Sequence, residues 1–116
     1  MNKEQTMPIF NFKDYTLELN IAGTSVVVNC SSELSDRITD YASLLTTLSE
    51  QVAKKEKNVS DAITVFRTLT DDILGQGRFE EIFKSRKPTV YDCADVLLFL
   101  ITEIKKHITL RREQAE

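Results

Sequence analysis

Two glycines, Gly75 and Gly77, in the stretch DILGQGRFEEIFK are the first candidates for a binding site. A glycine loop that holds phosphates follows a β-strand and continues with a third glycine or a Lys-Ser/Thr pair. Here a helix-like aliphatic run precedes the glycines, and neither continuation is present. We therefore interpret Gly75 and Gly77 as a structural hinge, and we predict a left-handed conformation at Gly75, where it would end a helix.

Groups that bind metals or attack substrates are few and far apart in the sequence. The chain contains one histidine, His107, and two cysteines, Cys30 and Cys93. This set matches no zinc-ligand spacing, and the sequence shows no partner that would make His107 a catalytic base. Cys93 is better explained as a small core residue, and His107 as a residue near a helix end. We therefore expect no catalytic residue, no cofactor-binding residue and no metal ligand, and hence a protein that is not an enzyme.

The charged residues indicate neither a catalytic site nor a nucleic-acid-binding site. The paired acids are Asp71-Asp72, Glu80-Glu81 and Asp92/Asp95. Neighbouring residues on a helix point in different directions, so we expect these pairs to be solvated and structural. The basic residues near the end of the chain are Lys105, Lys106, Arg111 and Arg112. They suit a helix C-terminus, and with a net charge of −3 and a pI of 5.2 we expect no nucleic-acid binding.

The elements that carry these residues are predicted to form a single domain over residues 1–116. A chain of this length, 41% hydrophobic and 28% charged, is typical of one globular core. The longest apolar run, residues 96–101, is far too short to cross a membrane. Without a signal-like start, the chain is expected to stay in the cytoplasm with reduced thiols. Residues 1–8 are expected to be flexible, and either Met1 or Met7 could be the natural start.

A β-hairpin is predicted in the N-terminal region, within residues 9–30. Residues 15–21 alternate between apolar and polar side chains, which is typical of a half-buried strand. Residues 22–24, Ala-Gly-Thr, supply a turn, and residues 25–30 are rich in valine. Because a hairpin alone is only marginally stable in water, it must pack against the remainder of the chain.

A helical body is predicted over residues 31–112. The expected helices run from Ser31 or Ser32 to about Lys55, from Asn58 through Ile73, over residues 78–84, and from Thr89 to about Arg112. Ser, Asn and Thr at these starts are typical N-cap residues. The predicted fold class is therefore mainly α (α+β), with an N-terminal β-hairpin followed by three main helices and one short helix.

The last helix is apolar on more than one side. Its predicted core face consists of Val90, Cys93, Ala94, Leu97, Ile101, Ile104 and Ile108. Val96, Leu98 and Phe99 lie outside this face on a helical wheel. Such a helix is either central in its own fold or covered by another chain, and the sequence leaves both interpretations open. Val96, Leu98 and Phe99 are therefore the candidate surface for self-association or for binding a client.

Several short stretches between about residue 9 and residue 108 resemble those of a known protein family. They are Asp72-Ile-Leu-Gly75 with Gly77, Ile82-Phe83, Arg86, the helix from Asp92 through Asp95 to Ile101, and Ile9-Phe10-Asn-Phe12 before the hairpin. In these stretches the chain resembles the tail assembly chaperones of long-tailed phages and prophages of Gram-positive bacteria. The resemblance implies a mainly helical, non-enzymatic protein that forms a ring or spiral homo-oligomer.

The same resemblance implies a client and a place of action. The client would be the tape measure protein, whose apolar helical parts are covered until the tail tube polymerises. The protein would act in the cytoplasm of the bacterial host and be absent from the mature virion. A longer form of the chain, made by ribosomal frameshifting, often accompanies the short form in this family and would be a further partner.

The alternative from another class is a small nucleic-acid-binding regulator of a phage or bacterium. It would use the basic end of the last helix. The net negative charge and the absence of a recognition motif count against this alternative.

Overall fold

The computed structural model describes residue 8 and residues 16–115, with side chains described as far as residue 110. The elements are β1 (Thr16–Ile21), β2 (Thr24–Asn29), α1 (Ser32–Ala53), α2 (Val59–Leu74), α3 (Arg78–Ile82) and α4 (Val90–Ala115). The predicted fold class is thereby confirmed. Expectations for residues 1–7 and 9–15, and for the side chains of Arg111 and Arg112, lie outside what is described. Among the described helices, none combines the length and apolar character that a membrane crossing requires.

The hairpin is antiparallel and has a shorter turn than predicted. Thr24 already pairs with Ile21, so the turn consists of two residues, Ala22 and Gly23. Both have a positive φ, 52° and 88°, as tight two-residue hairpin turns require. The side-chain oxygen of Asn20 accepts the N–H of Gly23 at 2.9 Å and holds this turn.

Polar side chains cap the starts of the three main helices. The caps are Ser31 to the N–H of Leu34 (3.2 Å), Asn58 to the N–H of Asp61 (2.8 Å) and Thr89 to the N–H of Asp92 (3.1 Å). The predicted caps are confirmed, and the structure selects Ser31 over Ser32. α1 ends at Ala53, slightly earlier than predicted, with Lys54 as its C-cap.

α4 is the central helix of the described fold, because it packs against α1, α2 and β1. Its buried residues are Cys93, Leu97, Leu100, Ile101, Ile104 and Ile108. All but Leu100 belong to the predicted core face, and Val90 and Ala94 of that face are partly buried. The core is completed by the inner face of the hairpin, by the apolar stripes of α1 and α2, and by Phe79 and Ile82 of α3.

Candidate partner-binding surface

The two glycines form a tight corner between α2 and α3. Gly77 has φ 87° and ψ −4°, and is the residue in the left-handed helical conformation. Gly75 has a positive φ of 115°, but its ψ of 154° places it outside the left-handed helical conformation predicted for it. Glycine is essentially the only residue that adopts this extended, positive-φ region. The N–H of Gly75 donates to the carbonyl of Asp71 at 2.7 Å and ends α2.

The carboxylate of Asp71 holds this corner together. Its two oxygens accept the N–H of Phe79 at 2.8 Å and the N–H of Gly77 at 3.3 Å. The expectation of a solvated acid is wrong for Asp71, because the residue is half-buried and bonded to the backbone six and eight residues onward. Backbone N–H groups that could otherwise cradle a phosphate are occupied by this carboxylate. The corner is therefore structural.

Asp72 ties α1 to α2. The hydroxyl of Tyr41 donates to its carboxylate at 2.5 Å, and Arg37 lies 3.5 Å from the same oxygen. Burial, and then the hydrogen bond to Asp72 and its charge, raise the pKa of Tyr41 to about 12. Tyr41 therefore remains protonated at neutral pH and acts as a hydrogen-bond donor between the helices.

Cys93 is buried in the core, and His107 lies half-buried on the same helix. Burial foremost, and then the charge of Asp92, raise the pKa of the Cys93 thiol to about 11, so that little thiolate forms at neutral pH. This agrees with the predicted role of Cys93 as a core residue. His107 is half-buried, and its Nε2 has no hydrogen-bond partner among the described residues. Over the same residues, no three potential metal ligands come together.

The structure separates the three residues that the sequence grouped as one surface. Leu98 and Phe99 are 54% and 39% exposed. Val96 instead packs against the core and lines a cleft with Ala22 and Phe83, beside the hairpin turn and α3. On a helix of 100° per residue, Val96 and Leu98 point about 160° apart. Val96 and Phe99 point only about 60° apart, so coverage by neighbouring elements separates these two residues, not their position on the helix. Leu98 and Phe99 remain available to a partner, whereas Val96 is partly buried.

An apolar groove that the sequence did not reveal lies where α1 ends and α2 and α4 begin. It has a volume of about 600 Å³. Its apolar lining includes Val52, Ala53, Val59, Pro88, Val90 and Ala94. Tyr91 also lines it and is 83% exposed. We call this feature the apolar groove.

The apolar groove continues along α4. Leu98 follows Tyr91 by seven residues and Ala94 by four, so the three share one side of the helix. Val59, in the first turn of α2, adds a further exposed apolar side chain to the lining. The seven-residue spacing of Tyr91 and Leu98 was the sequence signal that could have pointed to this surface.

No family model, curated protein or solved structure matches this chain. An apolar groove with an exposed apolar margin can bind another apolar surface reversibly, without covalent chemistry.

Proposed function

We propose that this protein is a tail assembly chaperone of a long-tailed phage or prophage of Gram-positive bacteria. It binds apolar helical segments of the tape measure protein during tail morphogenesis, in the cytoplasm of the host cell, and is not part of the mature virion. The observation that supports this most is the apolar groove with its continuation through Tyr91 and Leu98. The sequence resemblance supplies the identity of the client.

The mechanism is masking of apolar surface. An amphipathic helix presents side chains three, four and seven residues apart, and such a stripe packs into a groove between helices. A long helical client that is synthesised before its tube exists would otherwise expose this stripe and aggregate. Because binding needs only burial of apolar area, the chaperone can leave when the growing tube covers the client instead.

Self-association is the second part of the proposal. Leu98 and Phe99 are exposed on the central helix, so a contact through them does not require the core to open. A contact between unlike surfaces of successive copies produces a closed ring or an open spiral, depending on whether the rotation closes. A longer, frameshifted form of the chain would join the same assembly through the shared domain.

Replacing Phe99 tests self-association. Phe99→Glu should lower the oligomer mass measured by light scattering and leave the helix content unchanged, because the side chain is already partly in water. A wild-type chain that stays monomeric at high concentration would contradict the oligomer. Global unfolding of Phe99→Glu would show that the residue serves the core instead.

The client itself provides the test of function. Co-expression with the tape measure protein of the same gene cluster should keep that protein soluble and in complex with the chaperone. Val59→Glu should reduce the amount recovered, because Val59 lines the apolar groove. Val27→Glu is the matched control, since Val27 lies on β2 away from the groove and the two valines are 55% and 54% exposed. A client that the wild-type chain neither binds nor keeps soluble would contradict the proposal.

Two further observations separate the chaperone from a nucleic-acid-binding regulator. A slippery sequence near the stop codon, followed by a long helical reading frame, would favour the chaperone. We expect no mobility shift of nucleic acid at physiological salt, because the chain is acidic overall. Salt-dependent binding at micromolar protein would favour the regulator.

A further inference from the structure

The described arginines and the lysines near the apolar groove differ in whether they form ion pairs. The four arginines with described side chains all form ion pairs: Arg37–Asp72, Arg67–Glu80, Arg78–Glu81 and Arg86–Asp92. The lysines around the apolar groove do not. Among the described residues, no ion pair involves Lys54, Lys55, Lys57 or Lys87. Six lysines among the described residues lack an ion pair, and four of them are these; the other two, Lys84 and Lys105, lie elsewhere.

One of these lysines, Lys87, lines the apolar groove, and the other three lie in the loop between Ala53 and Val59, which are both lining residues. Three lysines against the single acid Glu56 give residues 54–57 a net charge of +2. α2 and α4 begin at the groove and α1 ends there, so the partial charges of the helix ends have both signs, and the first turns of α2 and α4 carry the acids Asp61 and Asp92. The positive charge at the margin of the apolar groove therefore comes from Lys87 and from the lysines of residues 54–57.

The polar groups inside the groove do not form a site for a polar small molecule. The hydroxyl oxygen of Thr89 accepts the N–H of Asp92 as the cap of α4, and the other polar lining residues are Ser49, Lys87 and Tyr91. Most of the remaining lining consists of aliphatic or proline side chains. A specific small-molecule site needs several polar groups that converge, whereas an amphipathic helix needs an apolar groove with charge at its margin.

We infer that the apolar groove selects amphipathic helices whose apolar stripe is flanked by acidic residues. This inference rests on the proposed function, because it takes the client helix as the occupant, and it adds the charge pattern of the bound segment. The apolar stripe supplies most of the affinity, and the flanking carboxylates approach Lys87 and the lysines of residues 54–57. Opposite charges at the margin of an interface raise the association rate and exclude segments of the wrong charge.

Two synthetic helices with the same leucine stripe test the inference, one flanked by glutamate and the other by lysine. Fluorescence anisotropy should show that the glutamate-flanked peptide binds roughly ten-fold more tightly at low salt. The difference should shrink as salt is added, because exposed charges are screened. Equal affinities, or tighter binding of the lysine-flanked peptide, would overturn the inference.

Two charge reversals, one in the groove and one away from it, test whether the preference for the acidic peptide arises at the groove. Lys87→Glu should remove most of the preference for the acidic peptide. Lys105→Glu should leave the preference unchanged, because Lys105 is an exposed lysine without an ion pair, away from the groove on α4. The two variants change the net charge equally. If both weaken acidic-peptide binding equally, the preference reflects net charge, and the inference is wrong.

The same variants distinguish this inference from the proposed function. If the tape measure protein is recovered equally with the wild type and with Lys87→Glu, the charge selection fails while the chaperone function stands. If the wild type does not recover the tape measure protein at all, the proposed function fails. If neither peptide binds and Lys87→Glu instead lowers the mass of a wild-type oligomer, the occupant is a second copy of the chain, and the inference is wrong.

Discussion

At the two ends of α2, different shares of the polar and charged side chains have a hydrogen-bond or ion-pair partner. At its C-terminal end, Asp71 accepts two backbone N–H groups, Asp72 accepts the hydroxyl of Tyr41, and Phe79 is almost fully buried. At its N-terminal end, Val59 is exposed beside the apolar groove. The nearby lysines of residues 54–57 have no ion-pair partner among the described residues.

This difference separates residues that maintain the fold from residues that are free to bind. A buried polar group is costly unless it is bonded, so a fully bonded corner indicates a structural role. An apolar groove bordered by unpaired cations exposes apolar surface to water. A partner that covers this surface lowers the free energy, so the groove is suited to binding. The conspicuous glycine motif therefore maintains the fold, and less conspicuous residues form the candidate binding surface.

The largest expected effect is a difference in the free energy of unfolding between two alanine variants. One replaces Phe79, near the C-terminal end of α2, and the other replaces Tyr91, in the groove near its N-terminal end. Phe79 is 1% exposed, contacts the ring of Phe83 and lies under the guanidinium of Arg67, so Phe79→Ala should cost about 3–5 kcal/mol of unfolding free energy. Tyr91→Ala should change that free energy by less than about 0.5 kcal/mol, yet weaken client binding. Urea denaturation and client recovery measure the two effects. Equal destabilisation by both changes would remove the distinction between the ends.

The second effect concerns the carboxylate of the corner. Asp71→Ala leaves two backbone N–H groups without an acceptor and should cost about 2–4 kcal/mol. Asp71→Asn retains one acceptor oxygen and should fall between the wild type and the alanine variant. Asp36→Ala, at an exposed position of α1, is the control and should have almost no effect on urea denaturation. A loss for Asp71→Ala no larger than the control would show that the corner does not depend on this carboxylate.

The third effect distinguishes the two glycines. A Cβ added at either position meets no close atom, so any cost is backbone strain. Gly77→Asn should be nearly neutral because asparagine tolerates the left-handed helical conformation, whereas Gly75→Asn should cost about 1–3 kcal/mol. Thermal unfolding of both variants measures the difference. A larger loss at Gly77, or none at Gly75, would contradict the conformations assigned to them.

The last effect is absent at neutral pH and appears only in alkali. Folding raises the pKa of Cys93 from 9.0 to about 11 and that of Tyr41 from 10.0 to about 12. The unfolded chain therefore loses these protons first, so stability is fully present below pH 9 and falls as pH rises, between 9 and 11 for Cys93 and between 10 and 12 for Tyr41.

Denaturation at a series of alkaline pH values tests this order. Cys93→Ala should reduce the earlier part of the fall, and Tyr41→Phe the later part. Tyrosinate absorbance of the folded wild type should show a late component that Tyr41→Phe removes. A fall that neither substitution alters would mean that other groups cause it.

Local patterns in the sequence were sufficient for most of the fold. The strand alternation, the caps at Ser31, Asn58 and Thr89, and the core face of α4 depend on residues close together in the chain. The bonds of Asp71 could not be predicted, because they depend on how the chain turns at Gly75. No local pattern specifies the apolar groove either, since parts of α1, α2 and α4 far apart in sequence form it.

The candidate surface was predicted only in part for the same reason. A helical wheel shows that Val96, Leu98 and Phe99 lie outside the main core face. It does not show that the hairpin turn and α3 partly cover Val96 and leave Leu98 and Phe99 exposed. The neighbours that decide this come from elements distant in the chain.

Methyl-resolved NMR with helical segments of the tape measure protein tests most directly whether the apolar groove is the client site. The methyl resonances of Val52, Val59 and Val90, which line the groove, should shift as the segment is added. Those of Leu74, the last residue of α2, and Ile82, the last residue of α3, should stay in place. Shifts confined to Leu74 and Ile82, or no shifts at all with a segment that the chain keeps soluble, would contradict the account.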